Sequence, residues 1–268
     1  MSRARTFSVT ALPGFAAVAM LTFIMLYLPI ITLVIFSFNA GESVSQWQGF
    51  SLHWYKIAWE NEQVRTAATN TLLIAGLAAL FSTIVATMAA LGTTRRAKFQ
   101  GQTWIYVAIN QPLMVPEIVT AVALLIFFAM LKKATGYTGL GYMVVAHTAF
   151  CIPFAYLPIR ARLESMDLTL ETAAGDLYAS PWQTFRHVTL PLLLPGVMAG
   201  AMLAFVTSLD TVVITEFIKS PGQDTLPTYM LGQLRRAMKP DVNAISTALL
   251  AITLLMLVAF FLLTRKRA

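Results

Sequence analysis

Thr66-Ala-Ala-Thr-Asn-Thr-Leu-Leu-Ile-Ala-Gly-Leu-Ala-Ala-Leu-Phe-Ser-Thr-Ile-Val-Ala-Thr-Met-Ala-Ala-Leu91 contains no charged side chain. A bilayer core is about 30 Å thick, and an α-helix needs roughly 20 apolar residues to cross it. This stretch is long enough, and a helix satisfies its backbone N–H and C=O groups internally, as lipid demands. Further apolar runs lie at about 12–38, 104–131, 142–159, 192–218 and 243–264. The expected fold is an all-α membrane protein of about six transmembrane helices, forming one transmembrane domain over 1–268. The runs at 104–131 and 142–159 contain prolines, which membrane helices tolerate where neighbours satisfy the freed carbonyls.

Composition agrees. Of 268 residues, 57% are hydrophobic and 12% charged, against about 25% charged in an average soluble domain. The single cysteine, Cys151, cannot form an internal disulfide. A net charge of +7 could suit nucleic acid, but the basic residues sit at the ends of apolar runs, where topology-setting charges belong. Nucleic acid is therefore not an expected partner; the lipid bilayer is. Arg3 and Arg5 precede the first run as in a signal peptide. That run far exceeds the roughly 7–15 residues of a signal's apolar core, so it reads as a retained anchor.

An even helix count puts both termini on one side. Arg3, Arg5, Arg95, Arg96, Lys98, Arg160, Arg162, Arg186, Arg265, Lys266 and Arg267 fall there, eleven in all, against eight on the other side. The eleven lie in short loops close to helix ends, so that side is expected to be cytoplasmic. The outer loop 39–65 carries Trp47, Trp54, Tyr55 and Trp59, read as anchors at the membrane interface. The cytoplasmic loop 160–190 is polar and helix-compatible, and at about thirty residues it is too long for a mere connector.

Several chemistries are unsupported. No G-x-x-x-x-G-K-[ST] sequence is present, so a phosphate-binding loop is not expected on this chain. His53, His147 and His187 have no second ligand at metal spacing; they read as capping or packing residues, and no metal site is expected. Ser208 precedes Asp210 in an apolar helix, but no histidine lies nearby in sequence, so an intramembrane hydrolase has little support. A secondary transporter should show inverted repeats or paired interrupted helices, and neither is visible.

The cytoplasmic loop reads Glu171-Thr-Ala-Ala-Gly-Asp-Leu-Tyr-Ala-Ser180, continuing as Pro-Trp-Gln-Thr-Phe-Arg-His-Val-Thr-Leu-Pro191. Two small alanines let a short helix lie close against another protein, and Leu177 adds an apolar knob one turn on. This loop resembles the EAA loop of binding-protein-dependent ABC importers, with Ala173, Ala174, Asp176, Leu177, Ala179, Ser180, Phe185, Leu190 and Pro191 at matching places. Thr172 stands where the family's acid usually lies, with Glu171 one place earlier, and Tyr178 replaces the usual glycine. Pro116-Glu-Ile-Val119, His147-Thr-Ala-Phe-Cys-Ile-Pro-Phe154, Ser208-Leu-Asp-Thr-Val-Val213 and Pro240-Asp-Val-Asn-Ala244 resemble the second permease subunit of spermidine/putrescine-type importers. Related transporters carry other cationic or amine-bearing solutes.

The resemblance implies a type I importer permease fold in the bacterial inner membrane. It implies a heterodimer with a second permease, two ATPase subunits and a periplasmic solute-binding protein. The chain itself would hold no cofactor and catalyse nothing; ATP and magnesium would be bound by the ATPase. Glu171, Thr172, Ala173, Ala174, Asp176, Leu177, Tyr178, Ala179, Ser180 and Phe185 would form the ATPase docking segment.

Glu117, Asp210 and Glu216 fall inside apolar runs. Carboxylates there are costly and should face the bundle or a watery cavity. One reading makes them a path for a cation, with Thr207 beside Asp210; the other pairs them with a neighbouring helix. Gly196, Gly200, Ala204 and Ser208 recur at spacing four, which permits close helix packing against the partner permease or a neighbouring helix.

Overall fold

The computed structural model describes residues 14–43, 46–95, 99–236 and 239–265, with side chains described as far as Leu262. Arg3, Arg5, Arg96, Lys98, Lys266, Arg267 and the start of the first predicted run at residue 12 lie outside the described residues. Among those described, six helices are long and apolar enough to cross a membrane: Phe15–Phe36, Glu62–Thr94, Glu117–Thr135, Gly141–Ser165, Pro181–Asp210 and Asp241–Leu262. The chain divides into two compact units, Met1–Glu60 with Gln233–Ala251, and Asn61–Gly232 with Ile252–Ala268.

In the first unit, α1 (Phe15–Phe36) has no buried residue. The chain then folds back on Asn39. Its Nδ2 donates to the carbonyls of Ser43 and Gln46 at 2.9 and 2.8 Å, and its Oδ1 accepts from Gln48 N–H at 2.8 Å. The ring of Phe38 stacks on Phe50 and tilts against Tyr55, whose hydroxyl meets Ser37 Oγ at 2.8 Å. The short α2 (His53–Glu60) comes next.

The second unit begins with α3 (Glu62–Thr94), capped by Asn61, whose side chain accepts from Gln63 N–H at 2.9 Å. Next come α4 (Gln102–Met114), α5 (Glu117–Thr135) and α6 (Gly141–Ser165). Short α7 (Thr169–Asp176) and α8 (Pro181–Thr184) lead through a π-helical stretch, Phe185–Thr189, into α9 (Leu190–Asp210). The remaining helices are α10 (Val213–Ile218), α11 (Leu226–Arg236) and α12 (Asp241–Arg265), the last two extending across the division between the units.

Two expected helices are broken. The run 104–131 divides into α4 and α5 because Pro116 has no N–H to continue the ladder. It also pushes Val115 into extended backbone, φ −97°, ψ 136°. The run 192–218 ends at Asp210, and Thr211 is extended at ψ 113°. Only Thr211 and Val212, both β-branched, leave the helix there, and it resumes at Val213. Elsewhere the helices outrun their apolar cores. α6 passes through Pro153 and Pro158 to Ser165, its last turns braced by Arg160 Nε and Glu164 Oε1 at 2.7 Å, so the predicted loop 160–190 is largely helical.

Packing in this unit centres on α3, α6 and α9. Ala86 and Ala90 of α3, Ala155 and Ile159 of α6, and Leu193 and Ala204 of α9 are fully buried in one cluster. A second cluster joins Ile74 of α3, Ala121 and Phe128 of α5, Met143 of α6 and Ile214 of α10. Alanine on α3 matters because helices in lipid associate through close backbone approach, not through exclusion of water.

Candidate functional site

The segment between α6 and α9 is shaped by local hydrogen bonds. Met166 is extended and ends α6. Asp167 Oδ1 accepts from Thr169 N–H at 2.9 Å, starting α7 and holding the Asp167 carboxyl below its usual range. At the far end, Tyr178 N–H bonds to Gly175 O at 2.9 Å and Ala179 N–H to Ala174 O at 3.0 Å. These two bonds make a Schellman motif with Tyr178 in the left-handed position, φ 61°. Ser180 and Gln183 then form a reciprocal capping box, with bonds of 3.3 and 2.8 Å. Leu190 and Pro191 open α9 directly after the π-helical stretch, within the continuous helical span Pro181–Asp210.

This geometry gives the segment two faces. Leu177, Tyr178 and Trp182 are 81%, 97% and 66% exposed, and the Phe185 ring tilts against Trp182 at 5.6 Å. Thr172, Ala173, Asp176 and Ser180 are exposed, while Ala174 and Ala179 are half-buried. Glu171 turns the other way. Its Oε1 accepts from Arg95 Nε at 3.2 Å and from Thr189 Oγ1 at 3.0 Å.

The three intramembrane acids have different fates. Glu117 is the first residue of α5, where a carboxylate is favoured by the helix dipole. Asp210 is the last residue of α9, where it is disfavoured, and it is exposed. Neither has a hydrogen-bond or ion-pair partner among the described residues. Thr207 is half-buried beside Asp210, its carbonyl accepting from Thr211 Oγ1 at 2.7 Å. Glu216 lies beyond the break, on α10, and is paired: Lys219 Nζ sits 2.7 Å from Glu216 Oε2 and 2.7 Å from Asp224 Oδ1. Burial pulls the Lys219 pKa down, but the hydrogen bonds and charges of Asp224 and Glu216 outweigh it and leave the ammonium held above its usual range.

The small-residue stripe packs against α6 of the same chain. A Cβ at Gly196 would stand 2.6 Å from Arg162 Cβ, and one at Gly200 would stand 2.7 Å from Ala155 O. One step on, Cys151 Sγ lies 3.4 Å from Ala204 O. The next step is Ser208, whose hydroxyl meets His147 Nδ1 at 2.8 Å. The two helices therefore run antiparallel, and each fourth residue of α9 meets α6. His147 Nε2 reaches Thr215 Oγ1, also at 2.8 Å, so one buried imidazole bridges α9 and α10 across their break. Nothing in the local sequence signals this bridge, because the partners lie 61 and 68 residues away. Arg95 and Thr189 were missed for the same reason. The far side of His147 holds a hydroxyl, where a hydrolase would place a carboxylate.

Comparison with known proteins places this architecture. Residues 82–266 match the family described as "Binding-protein-dependent transport system inner membrane component". The chain is 34% identical over 257 residues to the putrescine transport system permease protein PotI of Escherichia coli (strain K12), covering 94% of this chain and 92% of the relative. It is also 34% identical over 242 residues to the spermidine/putrescine transport system permease protein PotC of the same organism, covering 90% of each. Two solved structures share the fold at low identity. A subunit of a bacterial ABC transporter importing the acidic polysaccharide alginate gives a TM-score of 0.70 at 17% identity, over 94% of this chain and 96% of that one. A subunit of the inward-facing MetNI methionine ABC transporter gives 0.65 at 19%, over 80% and 98%. The six spans, the loop between α6 and α9 and the likeness along almost the whole length lead to one conclusion: this chain belongs to the family of binding-protein-dependent transport system inner membrane components, as a multi-pass protein of the inner membrane.

Proposed function

We propose that this permease subunit forms one half of an ATP-driven importer for polyamine-like cations of the putrescine and spermidine class. The observation that carries the reading is the 34% identity to a putrescine permease over 94% of the chain. A second permease completes the path, one of two ATPase subunits docks on the exposed face of residues 171–185, and a periplasmic solute-binding protein delivers the cargo from the opposite side. ATP and magnesium are bound by the ATPase, which leaves this chain without covalent chemistry. Both termini and the docking segment lie on the cytoplasmic side.

Asp210 and Glu117 fit the cargo. Each ends or begins a helix at a break, and neither is neutralised by a described side chain. Unpaired carboxylates in a membrane call for water or a cation, and ammonium groups spaced along a flexible chain supply the cation. Glu216 is a weaker candidate for the path because Lys219 already holds it. Another small amine-bearing or organic solute would use the same architecture. Reconstitution with the second permease, the ATPase and the binding protein tests the assignment. Putrescine or spermidine should raise the rate of ATP hydrolysis; stimulation by an unrelated solute with none by either polyamine would reassign the cargo.

A further inference from the structure

On the reading that residues 171–185 dock an ATPase, we propose that Glu171, Arg95 and Thr189 form an internal strut through which the docking segment moves α3 and α9. Glu171 Oε1 is the centre of the cluster. It receives Arg95 Nε at 3.2 Å and Thr189 Oγ1 at 3.0 Å. Arg95 is the C-cap residue of α3, and its Nη1 also donates to Leu163 O, in the last turns of α6, at 3.1 Å. Thr189 closes the π-helical stretch that becomes α9 and is buried. One carboxylate oxygen thus ties α7 to the ends of α3 and α9, and through Arg95 to α6.

The cluster is built to carry displacement. The Arg95 and Glu171 side chains are 19% and 21% exposed, so solvent screens them far less than a surface pair. The Arg95–Glu171 bond is charge-assisted although long at 3.2 Å, and Thr189 cannot move with Glu171 without turning the π stretch, a form of helix that recurs at functional sites. The shifted acid also gains a reason. Successive helical residues point about 100° apart, so a carboxylate at 172 would face outward with exposed Thr172, whereas at 171 it faces the bundle. Glu171 is a positioning residue within the chain, and docking at that turn relies on the apolar face of Leu177, Tyr178 and Trp182.

The test uses the whole complex in proteoliposomes and reads solute taken up per ATP hydrolysed. Arg95→Gln should leave the ATPase co-purifying with the permeases but lower uptake per ATP by roughly tenfold, within the about 5–150-fold range of coupling between sites. In a double-mutant cycle, Glu171→Gln added to Arg95→Gln should lose less than the product of the two separate losses, as a direct interaction requires. Thr189→Val, nearly isosteric, should lower uptake per ATP in the same direction, and it decides the matter if Arg95→Gln fails to reach the membrane. Unchanged uptake per ATP in Arg95→Gln or Thr189→Val overturns the strut. So does a double variant whose loss equals the product of its single variants' losses, or loss of the ATPase from Arg95→Gln. An unaltered complex that does not retain the ATPase at all would instead sink the docking assignment.

Discussion

Tyr178 occupies the left-handed backbone region with its ring almost wholly in solvent. That conformation costs a residue with a Cβ roughly 1–2 kcal/mol relative to glycine, and no contact of the ring with the described residues offsets it. The two replacements Tyr178→Gly and Tyr178→Ala therefore separate backbone from side chain. Glycine should raise the thermal midpoint of the detergent-solubilised subunit and alanine should not, while both should weaken retention of the ATPase on an affinity column. Equal melting of the two would mean that the turn carries no strain. Asp210 and Glu117 allow a different separation, because Asn and Gln keep shape and remove charge. Asp210→Asn and Glu117→Gln should assemble normally yet slow polyamine uptake several-fold, the effect of losing a charged partner. Normal uptake in both would end the cation-path reading without touching the family assignment.

The transmembrane helices were legible because lipid writes a simple rule, a long run without charge. Their interruptions were visible as residues but not as geometry. Pro116 and the β-branched pair after Asp210 stand plainly in the sequence, yet membrane helices often continue through such signals, as α6 does through Pro153 and Pro158. The stripe Gly196, Gly200, Ala204 was readable as a packing surface; that its partner is α6 was not, since only tertiary structure supplies the facing helix. Gly200→Val should overpack that seam, with a Cβ already at 2.7 Å from Ala155 O, and destabilise the subunit by about 1–3 kcal/mol, seen as lower membrane accumulation. On α7 the same logic points outward. Ala173→Glu, at an exposed position, should leave the chain in the membrane and abolish uptake, because a bulky charge would hold the docking helix away from its cleft. Surviving uptake with a bound ATPase would contradict the proposed docking face.

For the molecule as a whole, charge placement and connectivity make testable statements about sidedness. A cysteine introduced as Tyr137→Cys should react with a membrane-impermeant maleimide in intact cells, whereas Leu168→Cys should react only after the membrane is opened. The reverse pattern would invert the proposed topology. Both positions are exposed and lie at opposite ends of α6, so the pair reports one helix's direction. Cargo was legible only through likeness to relatives, because the acids proposed to meet it are single residues, and in the proposed assembly a second permease would complete their surroundings. The π-helical stretch at Phe185–Thr189 has a consequence at this scale too. A π turn uses one residue more than an α turn to complete nearly the same rotation, so the stretch absorbs a residue without turning its flanks against each other. Deleting a residue there should let the span relax to plain α-helix and leave the docking segment's bearing nearly unchanged, whereas deleting one from α9 just beyond Thr189 should swing that segment by about 100° around the helix axis and present its apolar knobs to the wrong side. The compass bearing of the docking surface is thus buffered at the π stretch and stored as a residue count only in the α-helix that follows, where no point substitution on the surface can restore it once it is lost.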